Sequence, residues 1–291
     1  VTSASASENI VRYYDECASD YQLAWDLDSS LAMHIGYWDW STWTLRAALA
    51  RHNRVMADFG HVRPGDDVLD AGCGVGGSSI FLARELGCQV TGVTLSPTQA
   101  RLAQANAQRH GVAEQTAFCV MDYSRTAFPG SSFDVVWALE SSCYAADKAA
   151  FVKEAFRLLR PGGRLVISDG FATRQVYDEP DRTIMKRWLH AWALDHLATL
   201  DEMHRAFDAA GFVRVRFADI MENVAPSAWI MFLRSVAALP VGRVMQAFGL
   251  RTETQQRNIV GGIYQQFVWS RGLARYCLFC ARKPAASRRR R

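Results

Sequence analysis

Asp67-Val-Leu-Asp-Ala-Gly-Cys-Gly-Val-Gly-Gly77 is the stretch that decides the fold. Asp67–Ala71 is a strand-length run ending in a glycine cluster, and Ser78–Leu86 continues with helical spacing. Reading outward, Gln89–Thr94 predicts a second strand, followed by a helix opened by Ser96-Pro97, Ser as N-cap and Pro at the first helical position. Thr116–Met121 and Phe133–Ala138 predict the third and fourth strands. A helix over about 148–159, a turn at Arg160-Pro-Gly-Gly163 and a fifth strand at Arg164–Ser168 follow. Strands alternating with helices at this spacing predict an α/β protein with a doubly wound, Rossmann-like parallel sheet.

The flanks read differently. Residues 8–60 are expected to be helical and carry Tyr13, Tyr14, Tyr21, Trp25, Tyr37, Trp38, Trp40 and Trp43. Residues 174–210 and 226–270 also read as helices, with antiparallel strands at Val213–Phe217 and Arg275–Ala281. The expected division is an aromatic helical lid over 1–60 and a nucleotide-type core over 61–172. The rest of the sheet with a helical cap follows over 173–284, and a basic tail over 285–291.

The 291 residues are 49% hydrophobic and 21% charged, enough apolar chain for a real core. Of the net charge of +4, all is accounted for by Arg288–Arg291, leaving a neutral body. A neutral body argues against nucleic acid as partner, since duplex binding needs clustered cations. The seven cysteines are scattered and odd in number, as expected of reduced thiols in a cytoplasmic protein. Cys277 and Cys280, three apart in a strand, would face opposite ways, and no second pair completes a zinc site. His190, His196 and His204 do not share one helical face, so no metal is expected. No run of ~18 uninterrupted apolar residues predicts a membrane span, and the first residues lack the pattern of a signal peptide.

Gly72, Gly74 and Gly77 match G-x-G-x-x-G, which suits a nicotinamide dinucleotide or S-adenosyl-L-methionine. Asp70, two residues before the first glycine, would repel a pyrophosphate but receive an ammonium. The second strand ends Thr94-Leu95-Ser96, without the carboxylate that usually holds a dinucleotide's ribose. A nicotinamide-dependent oxidoreductase and a non-catalytic binding protein stand as the alternatives from other classes.

Asp70–Ser79, Val90–Gln99, Asp122-Tyr123, Leu139-Glu-Ser-Ser142 and Leu159-Arg-Pro-Gly-Gly163 resemble the class I S-adenosylmethionine-dependent methyltransferases. Within these, His34-Ile-Gly-Tyr-Trp38 and Cys280–Pro284 are similar to the γ-tocopherol, sterol and terpenoid C-methyltransferases, near the cyclopropane fatty-acid synthases. The resemblance spans about residues 10–284. It implies that Asp70, Gly72 and Gly74 face the methionine part, Thr94 and Gln99 the ribose, and Asp122 the adenine amino group. Leu95 and Tyr123 would sandwich the ring, and Cys73 and Leu139 complete the cofactor-binding set.

Glu140, just past the fourth strand, would point to the transferred methyl and act as base or cation stabiliser; its bland alternative is a helix N-terminal carboxylate. Tyr21 and His34 are the other candidate proton acceptors, His34 being placed in an N-terminal helix. Methylating an alkene creates a carbocation, which the faces of Tyr14, Trp38, Trp188, Trp192 and Trp229 would stabilise; packing of the cap is the alternative. Arg174, Arg182, Lys186 and Arg187 are either a diphosphate clamp or an exposed helix face. The segment after the fourth strand lacks the Asn/Asp-Pro-Pro-aromatic motif of base-modifying enzymes. The expected activity is C-methylation of a prenyl or terpenoid double bond in a small lipophilic acceptor, with rearrangement or cyclisation able to follow. Aromatic C- or N-methylation is the same-class alternative. The N-terminal helices would close over their own subunit or exchange between copies of a homo-oligomer.

Overall fold

A computed structural model describes residues 3–25 and 27–286. The arginines of the expected basic tail lie outside the described residues. In chain order the elements are α1 (Ser3–Trp25), α2 (Leu27–Ser30), α3 (Leu45–Gly60), β1 (Asp67–Ala71), α4 (Gly77–Leu86), β2 (Gln89–Thr94), α5 (Pro97–Arg109), β3 (Thr116–Val120) and β4 (Phe133–Leu139). There follow α6 (Lys148–Leu158), β5 (Leu159–Ala172), α7 (Asp181–Ala191), α8 (Leu200–Ala210), β6 (Val213–Asp219), α9 (Met221–Ala247), α10 (Glu253–Ser270) and β7 (Ala274–Arg282).

The strands form one sheet in the order β3-β2-β1-β4-β5-β7-β6. β1 pairs in parallel with β2 and β4, β2 with β3, and β4 with β5, while β6 and β7 are antiparallel. The chain steps outward from β1 to β3 and then returns to β4, so β1 and β4 flank the switch point, where open α/β sheets bind ligands. Val68, Leu69, Val135, Val136 and Trp137 are buried because parallel central strands are covered on both faces.

Local chemistry sets the helix ends. Ser96 Oγ accepts from the Gln99 amide at 3.2 Å with Pro97 following, as the sequence predicts. Asp147 caps α6 by accepting from the Ala150 amide at 2.9 Å. The expected turn at 160–163 survives as an irregularity within β5: Phe133 pairs with Leu159 but Val135 with Arg164, so the intervening residues bulge out.

Two compact units make up the chain. The sheet unit comprises 53–169, 200–219 and 277–291; the cap unit comprises 1–52, 170–199 and 220–276. α8 and β6 therefore belong with the sheet unit, inside the 173–284 segment expected to hold the rest of the sheet and a helical cap.

In the cap unit, α1 packs on α10 through Gln255 Nε2 to the Glu16 carbonyl (2.9 Å), and Arg251, just before α10, pairs with Asp20 (2.6 Å). The helical expectation for 8–60 fails over 31–44, which has no regular structure. There the His34-Ile-Gly-Tyr-Trp38 segment is held by α9: Trp38 Nε1 donates to Ser227 Oγ (2.8 Å) and the Trp38 amide to the Asn223 carbonyl (2.8 Å). A Cβ on Gly36 would lie 2.8 Å from Ala48 Cβ, so this close approach requires glycine.

No run of ~18 uninterrupted apolar residues occurs, as the sequence reads, but one helix comes near that length with two interruptions. α9 is long and apolar enough to cross a membrane by length and composition, with mean hydropathy 1.5 over eighteen residues of which 17% are buried. Arg234 and Arg243 interrupt it, which is why a search for an uninterrupted run misses it.

Candidate active site

The sheet unit brings the loops after β1, β3 and β4 together. Gly72, Gly74 and Gly76 have φ of 94°, 52° and 89°, left-handed values that glycine adopts without strain. A Cβ on Gly72 would lie 2.4 Å from Ser141 Cβ. Ser141 Oγ donates to the Ala71 carbonyl (2.5 Å), and its own carbonyl accepts from the Tyr123 hydroxyl (2.6 Å). Ser141, passed over in the sequence reading, is thus the knot joining three loops.

Asp70 is 2% exposed and accepts from Ser79 Oγ at 2.6 Å. Burial pushes its carboxyl up to about 6, opposed by the Ser79 hydrogen bonds. Cys73 is buried, and burial pushes its thiol well up, which leaves it a packing group rather than a nucleophile. At the end of β2, Thr94 Oγ1 donates to Gln99 Oε1 (2.7 Å), which orients the glutamine amide. Leu95 is half-buried and Leu139 buried. Asp122 is exposed and accepts from the Ser124 amide (2.8 Å). Tyr123 is buried with its ring edge against Phe151, so it forms a wall of the loop, and its phenol is engaged.

Glu140 is half-buried, with φ of 49°. The left-handed region costs a non-glycine residue about 1–2 kcal/mol, and such strain concentrates at functional sites. The Glu140 amide donates to the Ser168 carbonyl at 2.9 Å, which fixes the unusual turn. Only a short 3₁₀ turn, Ser142–Tyr144, follows, and the next α-helix is capped by Asp147; the helix-terminal alternative for Glu140 therefore lacks its helix. Asp169, at the end of the sheet-unit part of β5, accepts from Ser142 Oγ (2.7 Å) and the Cys143 amide (2.9 Å). It is buried and was absent from the sequence reading, although a carboxylate ending a central strand was the signal used for Asp70.

The cap unit holds the other candidates. His34 lies in the irregular segment, not in a helix as expected. Its Nδ1 is 3.0 Å from the Ile35 carbonyl, and His52 Nδ1 is 2.5 Å from the same oxygen. A carbonyl only accepts, so both rings carry their proton on Nδ1. Burial pushes His34 down to about 4 and, aided by His34, His52 down to about 3. Both are neutral at pH 7. Tyr13 donates to Asn258 Oδ1 (2.8 Å), so the 3.2 Å contact between the Tyr13 and Tyr21 hydroxyls has Tyr21 as donor. Asn258 Nδ2 donates in turn to Asp20 (2.9 Å), which completes a chain from Tyr21 to the Asp20–Arg251 pair.

A cavity of about 500 Å³ lies within the cap unit, lined in part by Tyr21, Trp192, Met231, Ile259, Asp20 and Arg251. Tyr14 stacks on Tyr21 with ring centroids 6.0 Å apart. Trp188 is buried, Trp38 is tied to Ser227 as described, and Trp229 is 52% exposed. None of these three is among the described residues lining the cavity. Arg174 pairs with Asp181, Arg182 with Glu179, and Arg187 with the Tyr264 hydroxyl, all exposed, which is the helix-face arrangement.

The residues at the switch point fit S-adenosyl-L-methionine. A buried carboxylate stands beside backbone without side chains for the amino-acid part, and Thr94–Gln99 offers amide and hydroxyl groups for a ribose.

Comparison with known proteins agrees. Residues 69–167 match the methyltransferase domain family. The chain is 33% identical over 225 residues to 2-methyl-6-phytyl-1,4-hydroquinone methyltransferase of Synechocystis sp., covering 75% of this chain and 69% of that protein. The fold is similar to the cyclopropane synthase MmaA2 of Mycobacterium tuberculosis (TM-score 0.81, 16% identity, 95% and 98% of the two chains). It is also similar to geranyl diphosphate C-methyltransferase of Streptomyces coelicolor A3(2) (TM-score 0.72, 20% identity, 96% and 98%). With a Rossmann-like sheet, a glycine loop at its switch point and relatives of this kind, the chain belongs to the class I S-adenosyl-L-methionine-dependent methyltransferases.

Proposed function

We propose that the protein methylates a carbon of a prenyl or terpenoid double bond in a small lipophilic acceptor, and that rearrangement or cyclisation of the resulting cation can follow. Bound S-adenosyl-L-methionine supplies an electrophilic methyl group. An alkene that gains a methyl cation must shed a proton to become neutral, and Glu140 is the group assigned to take it. The observation that carries this reading is the left-handed turn at Glu140, which sets a carboxylate at the end of β4 beside the glycine loop. Asp70 is assigned the amino group of the cofactor. Tyr21 and Trp192, which line the cap cavity, and Tyr14, stacked on Tyr21, are assigned as aromatic faces for a cation, each interaction worth roughly 0.5–2 kcal/mol. Seven free thiols suit a reducing cytoplasm.

The test is incubation with isotopically labelled methyl donor and a panel of prenylated acceptors. Label on an alkene carbon supports the reading; label on nitrogen or oxygen alone overturns it. A second reading, methylation of the ring of a prenylated hydroquinone, is favoured by the acceptor named for the Synechocystis relative. The position of the label separates the two.

A further inference from the structure

We propose that the outer face of α9 seats on the surface of an anionic lipid bilayer, lying at the interface rather than crossing it. α9 is mostly apolar, with Glu222, Arg234 and Arg243 its charged residues. Its buried residues, Met221, Val224, Ser227, Ala228, Ser235 and Gly242, occupy one face. At 100° per residue, Trp229, Leu233, Val236, Val244 and Phe248 fall on the opposite face, spaced by four, three, eight and four residues. That face is open to solvent: Leu233 is 62% and Phe248 77% exposed, and Val241 and Leu250 extend the patch. A stripe of this size on a soluble surface marks an interaction site. The buried face is held by protein, since a Cβ on Gly262 of α10 would meet Ser235 Oγ at 2.2 Å. A helix fixed to its own unit along one side and apolar along the other has the disposition of an interfacial helix.

Charge selects the occupant. From residue 223 to residue 252 there is no Asp or Glu, while Arg234 and Arg243, both exposed, stand on either side of the apolar stripe. Their stems can lie along an apolar surface while the guanidinium groups reach lipid phosphates. A second copy meeting this face would bring more arginine and, from the same helix, only the first-turn carboxylate of Glu222. Trp40, 89% exposed, follows the segment that Trp38 binds to α9, and exposed tryptophan is the aromatic residue suited to a headgroup layer. Met231, Arg234, Ser235 and Ala238 of α9 also line the cap cavity, so a bilayer at this helix would meet a wall of that cavity. This last point rests on the reading that the acceptor is lipophilic; the docking itself does not.

The experiment is flotation of the full chain with vesicles of phosphatidylcholine alone or with about a third phosphatidylglycerol, in the absence of acceptor and cofactor. Wild type is expected to float with the anionic vesicles and to detach as salt rises. The double variant Leu233→Glu/Val244→Glu should lose binding by about tenfold or more, and Arg243→Gln should weaken only the anionic preference. Both positions are exposed, so unchanged thermal unfolding verifies that the double variant is folded. Failure of wild type to bind either vesicle overturns the proposal, as does equal binding by a folded double variant. A wild-type dimer in sedimentation that the double variant splits also overturns it, because a second copy then covers the face. Methyl transfer to a short, water-soluble prenylated acceptor should be equal in wild type and double variant. Loss of vesicle binding with that activity intact removes the docking alone, whereas vesicle binding without activity on any prenylated acceptor removes the reading of the acceptor.

Discussion

Replacing Asp70 by Asn should make the protein more stable and a poorer binder of its cofactor. The Asp70 carboxyl is raised from 3.8 to about 6, chiefly by burial. A group raised on folding contributes stability that is complete below its unfolded value and lost as the pH climbs through the folded one. Over that shift of about 2 units, at roughly 1.4 kcal/mol each, the ionised carboxylate costs the free protein on the order of 3 kcal/mol at pH 8. Asn keeps an oxygen for Ser79 Oγ, now 2.6 Å from Asp70, and carries no charge. The gain at pH 8 is therefore expected at about 1–3 kcal/mol, several degrees in Tm for a chain of this length, and it should vanish near pH 4. The same change removes the counter-charge for the cofactor's amino group. Losing a charge-assisted hydrogen bond of roughly 1.5–3 kcal/mol lowers affinity about ten- to hundredfold. Calorimetry with S-adenosylhomocysteine, which retains that amino group, reads this directly, and wild-type affinity should itself weaken as the pH drops below about 6. A variant less stable than wild type at pH 8 that still binds S-adenosylhomocysteine at full strength would refute both halves of the reasoning.

Other substitutions test the rest of the site. Glu140→Gln should lower kcat on an alkene acceptor about a hundredfold or more while barely affecting methylation of a free amine, which needs no such base; equal losses on both would point to a positioning role. Glu140→Gly, which relieves the φ of 49°, should raise stability by about 1 kcal/mol in denaturant titrations while removing the same activity. His34 and His52 are depressed from 6.5, so their contribution to stability is complete above that pH and is lost on acidification towards 4 and 3. For His34 alone the loss is of the order of 3 kcal/mol, and His34→Asn should flatten Tm against pH between 6.5 and 4. Trp38→Phe, which leaves Ser227 Oγ without the indole, should cost about 1 kcal/mol in thermal unfolding.

The sheet and the cofactor loop were legible because their signals are local. Glycine clusters after β1, Ser96-Pro97 opening α5 and the apolar runs of β1 and β4 each act within a few residues of themselves. What was missed is held by partners far along the chain. Segment 31–44 reads as a continuation of aromatic helix, yet Gly36 and Trp38 within it bond to Ser227 and Asn223, almost two hundred residues away. His52 gave no sign of sharing the Ile35 carbonyl with His34, and nothing near Tyr21 foretold the chain through Tyr13 and Asn258.

The carboxylates at the ends of the central strands show where residue type stops being informative. Asp70 lies within β1, level with Trp137 of β4, whereas Glu140, just past β4, and Asp169, within β5, lie further toward the carboxyl side of the sheet; all three are acids near that side, and residue type alone does not tell them apart. Their partners separate them. Asp169 accepts from Ser142 and from the Cys143 amide, which commits it to holding the loop after β4 in place. Asp70 accepts from Ser79 and is otherwise sheltered from water, so its ionisation is unfavourable until a cation arrives. Glu140 is half-buried on a strained turn, the feature on which its proposed role toward the acceptor rests. In the proposed function one chemical type thus divides into a brace, a cation site and a base, and the burial and hydrogen bonding on which that assignment rests are properties of the folded loops rather than of the residues in line.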